Sequence, residues 1–235
     1  MSPFIGEFIG TALLLTLGGG VVANVILSKT KGNNSGWIVI TFGWAMAVFI
    51  GVYASKTFGG GGHLNPAVSI ALSAIGKLKI SLLFDYLAGQ FAGAFTGAII
   101  VWIAYKQHFD ETADKDLKLA VFCTAPAIRN PLYNLLTEAI GTFVLLFGAL
   151  SASKSASALG ALDELPVALL VLGIGLSLGG PTGYAINPAR DLAPRIAHFI
   201  LPIKGKRDSD WDYALIPVLG PIIGGMLAAL VFSLL

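Results

Sequence analysis

Two copies of one tripeptide, Asn65-Pro66-Ala67 and Asn187-Pro188-Ala189, combine residue types that can bind a small polar molecule. Proline suits the first turn of a helix, because that position has no intrahelical partner for its N–H and needs a φ near about −65°. Each asparagine then falls at the N-cap, where its side-chain oxygen accepts a backbone N–H and its NH₂ donors point past the helix end. Two such positive helix ends favour a water or hydroxyl oxygen and repel a cation.

The backbone before each tripeptide is rich in glycine and supplies hydrogen-bond acceptors. Irregular backbone at membrane depth is tolerated only where it is buried in protein or lines a cavity. We therefore predict that a ladder of carbonyl groups lines a pore beside the asparagines, contributed by Gly61, Gly62, His63 and Leu64 and by Gly183, Tyr184, Ala185 and Ile186.

The two copies differ in their flanking residues, and the difference locates a constriction. Three residues after the asparagine stands Val68 in the first copy but Arg190 in the second, and three residues before it stands Gly62 or Tyr184. An arginine within a membrane is costly and marks a functional site by default. The alternative is that Arg190 is the partner in a buried ion pair.

The elements that position these residues are predicted by composition and by the distribution of charge. Of 235 residues, 55% are hydrophobic and 12% charged, whereas soluble domains carry about 25% charged residues. A helix needs about 20 residues to cross ~30 Å of hydrocarbon. Apolar stretches of about this length predict six spans, roughly at 4–27, 37–56, 82–105, 132–152, 166–180 and 213–234. The chain is thus predicted to be a polytopic membrane protein without room for a soluble catalytic domain.

The two halves of the chain resemble each other. Glu7-Phe8-Ile9-Gly10-Thr11 is echoed by Glu138-Ala139-Ile140-Gly141-Thr142, and the two Asn-Pro-Ala segments follow in the same order. Each half has three spans, an odd number, so the halves enter the bilayer in opposite senses as an inverted repeat. We predict one transmembrane domain over 1–235, with halves at about 1–107 and 130–235 joined by a loop at 108–129. The Asn-Pro-Ala segments are too short to span and are predicted to re-enter.

In these paired motifs and this repeat, the sequence resembles the major intrinsic protein family, the aquaporins and glycerol facilitators, over essentially its whole length. The resemblance implies an all-α membrane fold of six transmembrane helices and two re-entrant half-helices. It also implies a passive channel without cofactor, assembled as a homotetramer with one pore per subunit. The family's aromatic/arginine filter maps to Trp44, Gly175, Tyr184 and Arg190.

The resemblance also implies a substrate class. Water-selective members commonly carry a histidine at the position of Gly175, where glycine leaves the volume of a side chain free. Trp44 and Tyr184 form an apolar corner for a carbon backbone, while Arg190 offers donors to hydroxyl oxygens. Asp191 and Arg195 are similar to residues of the glycerol-facilitator subgroup. We therefore expect a channel for glycerol and other small uncharged solutes, with water, that excludes ions and protons.

Several alternatives remain open on the residues alone. One alternative is a channel that serves mainly water or a neutral acid such as protonated lactic acid. An inverted-repeat secondary transporter would need coupling carboxylates near the pore, and a membrane enzyme would need a nucleophile or metal cluster that the sequence does not display. Glu7 and Glu138 suggest either a proton relay or acceptors for backbone N–H groups, and we favour the second role. His63 is interpreted as loop scaffold and not as a metal ligand.

The net charge and the distribution of basic residues among the loops bear on the protein's partners and on its orientation in the membrane. A formal net charge of +2 does not favour a nucleic-acid partner, and the bilayer is the expected environment. The resemblance implies a cell-membrane protein with both termini cytoplasmic. In that orientation the inner loops hold Lys56, Lys77, Lys79 and Lys154. The outer loops hold more basic residues, namely Lys29, Lys31, Lys106, Lys115, Lys118, Arg129, Lys204, Lys206 and Arg207. The positive-inside rule therefore predicts the opposite orientation.

Overall fold

The regular structure of the protein is helical throughout the part that the computed structural model describes, residues 2–152 and 158–235. In chain order the helices are α1 (Pro3–Ile26), α2 (Trp37–Thr57), α3 (Pro66–Ala74), α4 (Ile80–Ala104), α5 (Lys106–Glu111), α6 (Lys115–Ala120), α7 (Pro131–Ser151), α8 (Leu165–Leu178), α9 (Pro188–Ile200) and α10 (Ile216–Leu234). Within those described ranges, six helical segments are long and apolar enough to cross a membrane. The predicted all-α membrane fold with six spans is confirmed.

The helices α3 and α9 are the two half-helices. They contain 9 and 13 residues, which at ~1.5 Å per residue is well short of the ~30 Å of a hydrocarbon core. Both begin at the proline of an Asn-Pro-Ala segment, with the asparagine as N-cap. The predicted re-entrant elements are therefore present.

The fifth span is shifted from its predicted position at 166–180. It consists of a 3₁₀ turn at Gly160–Glu164 that runs into α8, and it ends at Leu178. The chain turns there because Gly180 precedes a proline, which disfavours continuation of the helix. The carbonyl of Gly175, left open by this ending, accepts a hydrogen bond of 3.0 Å from the indole N–H of Trp37. Lys154, assigned above to an inner loop, lies outside the described residues.

The connection between the halves is more structured than the predicted loop at 108–129. The short helices α5 and α6 lie in this segment, and the Asp114 carboxylate caps α6 by accepting from the N–H of Asp116 at 2.8 Å. Phe109 and Phe122 are buried with their ring centroids 5.6 Å apart. The two short helices were not predicted from the sequence because the segment is mostly polar and only a few apolar side chains anchor it to the bundle.

Glycines allow the long helices to approach closely at matching places in the two halves. A Cβ atom at Gly93 of α4 would lie 2.3 Å from the carbonyl oxygen of Phe8 in α1. A Cβ at Gly224 of α10 would lie 2.0 Å from the carbonyl oxygen of Ala139 in α7. Both contacts join the first and third spans of a half, and small residues of this kind are typical of helix interfaces in membranes.

We expect Gly224→Ala to destabilise the protein, because the added methyl group collides with the backbone of α7. Overpacking of this kind costs about 1–3 kcal/mol, so the apparent melting temperature of the detergent-solubilised protein should fall by several degrees. Gly173→Ala is the matched control, since a Cβ there meets nothing within 4 Å. Equal melting temperatures for the two variants would contradict the close contact.

Candidate functional site

The two half-helices meet at their N-termini through reciprocal hydrogen bonds. The amide nitrogen of Asn65 donates to the carbonyl of Ile186 at 2.7 Å, and that of Asn187 donates to the carbonyl of Leu64 at 2.8 Å. Each side-chain oxygen caps its own helix, accepting the N–H of Ala67 or Ala189 at 3.0 Å. Each carboxamide is thus held at both ends and keeps one N–H donor for another partner.

These hydrogen bonds occupy two of the backbone carbonyls that were expected to line the pore as acceptors. The carbonyls of Leu64 and Ile186 were predicted to face a pore as open acceptors, yet each already binds the asparagine of the opposite half. A carbonyl oxygen has two lone pairs, so each retains one further position. The sequence did not reveal this pairing because the partners stand 121 and 123 positions apart.

A cavity of about 480 Å³ runs beside the junction of the half-helices. At one end, which we call the arginine end, it is lined by Trp44, Tyr184 and Arg190. At the other, the lysine end, it is lined by Lys56, Lys77 and Glu164. Trp44 and Lys56 belong to the same helix α2, so the 12 positions between them separate the two ends by ~18 Å.

The walls of the cavity differ in polarity. One side carries Asn65, Asn187 and the irregular segments that precede them. The remaining uncharged part of the lining away from the arginine end is apolar and comprises Leu14, Val48, Val52, Val68, Leu72, Leu145, Leu146, Ala149, Leu150, Val167 and Val171. Seven of the eight predicted carbonyl residues line the cavity; Gly183 does not, because it packs toward Thr124. A solute with hydroxyl groups along one edge and carbon along the other fits such walls.

At the arginine end, Arg190 stacks on an aromatic ring. Its guanidinium carbon lies 4.2 Å from the ring centroid of Trp44, a cation–π contact. Trp44 fits there because Gly18 of α1 has no side chain; a Cβ at Gly18 would lie 2.2 Å from Trp44 Cζ3. The Nη1 atom of Arg190 is buried and has no hydrogen-bond partner among the described residues. Arg190 lines the cavity, and its guanidinium carries further N–H donors there besides the buried Nη1.

Gly175 does not line the cavity. The expectation that glycine at this position leaves open space for a solute is therefore corrected. A Cβ at Gly175 would lie 2.9 Å from Tyr184 Cζ and 2.9 Å from Thr41 Cγ2. The space that a side chain would take is therefore filled by the ring of Tyr184, whose edge also meets Trp37. Glycine is required at this position because the Tyr184 ring lies directly against α8 there.

Glu7 fixes the first irregular segment from behind. Its Oε1 accepts from Ser55 Oγ at 3.0 Å and from the N–H of His63 at 3.1 Å. Its Oε2 accepts from the N–H of Leu64 at 2.7 Å and from Gln90 Nε2 at 2.8 Å. Leu64 adopts a φ of 53°, a left-handed conformation that a leucine avoids without such restraint.

Glu138 has the equivalent place in the second half. Its Oε1 accepts from Thr182 Oγ1 at 2.7 Å and from the N–H of Ala185 at 3.0 Å, and its Oε2 from the N–H of Ile186 at 2.7 Å. Ile186, like Leu64, has a positive φ, here 42°. Both carboxylates are buried behind the loops and neither lines the cavity.

His63 lies in the polar wall with its ring held by protein. Its Nδ1 lies 3.0 Å from Ser69 Oγ, and its ring centroid lies 4.6 Å from that of Tyr86. Across residues 2–152 and 158–235, no group of three or more His, Cys, Asp or Glu side chains is arranged to hold a metal ion.

Several residues of the site escaped sequence reasoning. Ser55, Gln90 and Thr182 complete the two carboxylate networks, and Gln90 carried a signal as an amide within an apolar span. At the lysine end, Lys56 Nζ lies 2.6 Å from Glu164 Oε1. No local pattern indicated that pair, because its members stand 108 positions apart.

A bundle of membrane-crossing helices that encloses a lined cavity beside two opposed half-helices defines a membrane channel. The family model described as Major intrinsic protein matches residues 1–232, and the chain belongs to that family. The resemblance found in the sequence is therefore confirmed, and with it the expectation that this multi-pass membrane protein is not an enzyme.

Relatives of known name cover nearly the whole chain. A probable glycerol uptake facilitator protein of Thermotoga maritima is 57% identical over 99% of this chain and 99% of its own length. Glycerol uptake facilitator protein 3 of Lactiplantibacillus plantarum is 50% identical over 98% and 95%. The X-ray structure of the aquaglyceroporin from Plasmodium falciparum superposes with a TM-score of 0.85 at 31% identity, covering 98% of this chain and 94% of that one.

We expect Asn187→Asp to lower solute flux at least tenfold. The carboxylate removes the donor to the Leu64 carbonyl and places two oxygens 2.8 Å apart at the junction of the half-helices. Tenfold requires only ~1.4 kcal/mol of added barrier. The measurement is light scattering by proteoliposomes after an osmotic step, at matched protein content. A wild-type rate in Asn187→Asp would show that the junction does not control flux.

We expect Gly175→Ala to reduce glycerol flux relative to water flux, because the methyl group pushes the Tyr184 ring toward the cavity. Gly175→His should reduce the glycerol-to-water ratio further, by about tenfold, which corresponds to ~1.4 kcal/mol. Gly173→Ala on the same helix is the control, since a Cβ there meets nothing within 4 Å. An unchanged glycerol-to-water ratio in both Gly175 variants would show that Gly175 does not contribute to solute selection.

Proposed function

We propose that this protein is a passive channel for glycerol and other small uncharged solutes, together with water. The observation that carries the proposal is the arginine end, where Arg190, stacked on the ring of Trp44, lines the cavity together with Tyr184. The relatives named above as glycerol uptake facilitators support the same solute class.

The proposed selection follows from the chemistry of the walls. A glycerol molecule presents three hydroxyl groups and a carbon backbone, so it can accept from Arg190 while its carbon edge faces Trp44. The N–H donors of Asn65 and Asn187 then receive its oxygens at the junction of the half-helices. A cation meets the fixed charge of Arg190 and two positive helix ends, and for this reason we propose that ions and protons are excluded.

The transporter alternative is less favoured by the placement of the carboxylates. Coupling would need an acidic group exposed to the path. Glu7 and Glu138 are buried behind the irregular segments and already accept four and three hydrogen bonds. Glu164 does line the cavity, at the lysine end, where it is paired with Lys56.

We also propose the assembly and orientation that the family implies: a homotetramer in the cell membrane, with one pore per subunit and both termini cytoplasmic. The lysine end then faces the cytoplasm. Many large apolar side chains on the long helices are exposed in the single chain, which suits contact with lipid or with neighbouring subunits. Several outer cations that oppose the positive-inside rule pair with acidic residues, as in Lys29 with Glu111 and Arg207 with Asp116.

We expect purified protein in liposomes to pass glycerol and water without any ion gradient. After a glycerol gradient is imposed, the recovery rate measured by light scattering should rise with protein content and exceed that of empty liposomes by at least tenfold. The flux should stay proportional to concentration well into the range where a carrier saturates. Collapse of sodium and proton gradients should leave the rate unchanged.

Two results would contradict the proposal. Saturation at low millimolar glycerol together with dependence on an ion gradient would identify a transporter. Water flux without glycerol flux would identify a channel of the water-selective kind, and protonated lactic acid added at low pH tests the neutral-acid alternative in the same vesicles.

A further inference from the structure

A completely buried ion pair lies behind the arginine end, between Asp191, which directly follows Arg190 on α9, and Arg195, one turn further along that helix. Asp191 and Arg195 both have side chains with 0% exposure. Arg195 uses all five of its N–H donors: Nε and Nη2 bind Asp191 Oδ1 at 3.0 and 2.7 Å, Nη2 binds the Thr124 carbonyl at 3.0 Å, and Nη1 binds the carbonyls of Ser209 and Asp210 at 2.7 and 2.9 Å.

The carboxylate of Asp191 is equally occupied. Its Oδ2 accepts from both the backbone N–H and the hydroxyl group of Thr124, each at 2.7 Å. Removing two charges from water is unfavourable, and the cost is offset only when the geometry satisfies every donor and acceptor. We call Thr124, Asp191 and Arg195 the buried clamp; it joins α9 to two separate loops.

The clamp reaches Tyr184 through Thr124. A Cβ at Gly183 would lie 3.2 Å from Thr124 Cγ2, so the Thr124 side chain packs against the residue that precedes Tyr184. Tyr184 itself has a φ of 38°, a conformation that needs external restraint. Glu138 holds Thr182 before Tyr184 and Ala185 and Ile186 after it, and Thr124 adds a packing contact at Gly183, directly before Tyr184.

We propose that the buried clamp fixes the distance between Tyr184 and Arg190 and so sets the widest solute that passes the arginine end. This inference rests on the proposed function. Thr124, Asp191 and Arg195 are absent from the cavity lining. They act as positioning residues: Asp191 directly follows Arg190 on α9, and Thr124 holds the loop that carries Tyr184 against the same half-helix.

Arginine is required at position 195 because its planar guanidinium group donates hydrogen bonds to acceptors on three segments at once. A lysine keeps the charge but presents its donors from a single nitrogen, so it cannot span Asp191, Thr124 and the carbonyls of Ser209 and Asp210 together. Arg195→Lys therefore loosens the attachment of the loops without removing the positive charge.

The experiment compares two triols in proteoliposomes: glycerol and its wider, branched relative 2-(hydroxymethyl)propane-1,3-diol. We expect Arg195→Lys to raise the ratio of branched triol to glycerol permeability at least threefold. Both solutes use the same channels, so a smaller number of folded channels lowers both rates and leaves the ratio unchanged. Arg207→Lys is the matched control, because its pair with Asp116 is exposed and its ratio should equal that of wild type.

A second variant keeps the test decisive if Arg195→Lys does not reach the membrane. Thr124→Val preserves the shape of the side chain and the backbone N–H bond, and removes only the hydroxyl bond to Asp191; we expect at least a 1.5-fold rise in the same ratio. A wild-type permeability ratio in folded Thr124→Val, or in folded Arg195→Lys, would overturn the proposed role of the clamp.

The test also distinguishes this inference from the proposed function. A wild-type protein that passes no glycerol overturns the proposed function and the role of the clamp with it, whereas glycerol flux with unchanged variant ratios overturns the role of the clamp alone.

Discussion

Irregular backbone placed at membrane depth must find its hydrogen-bond partners within the protein or in a cavity, and this constraint governs the structure. Two segments of the chain lack helical bonding just before α3 and α9. Glu7 and Glu138 supply acceptors to their N–H groups from behind, and the asparagines at positions 65 and 187 bind their carbonyls from the opposite half. The half-helices are thereby fixed end to end.

The same constraint explains why residues that usually avoid positive φ occur in these segments. Leu64, Tyr184 and Ile186 have φ values of 53°, 38° and 42°. Strain of this kind costs of order 1–3 kcal/mol per residue and persists only where the surroundings over-determine the backbone. Both carboxylates provide that restraint, at the expense of their own hydration, and they leave the cavity free of acidic groups near the junction.

The two halves share this arrangement but differ where solute selection is proposed. The first half has Val68 where the second has Arg190, and its glutamate is completed by Gln90, for which the second half has no counterpart among the partners of Glu138. The second half instead carries the ion pair of Asp191 and Arg195. Duplication produced the scaffold, and departures from the repeat produced the asymmetric cavity with an arginine end and a lysine end.

The sequence by itself determined the six spans, the two half-helices and their asparagine caps, because hydropathy, helix-start residues and internal repetition are local properties that can be read along the chain. Only the tertiary structure decided how distant residues meet. The cross-bonded amides join positions more than a hundred residues apart, Gly175 makes room for Tyr184 instead of opening the cavity, and Arg195 gathers acceptors from two loops. Packing and long-range hydrogen bonds depend on the folded arrangement of several helices at once, so no pattern within one segment can specify them.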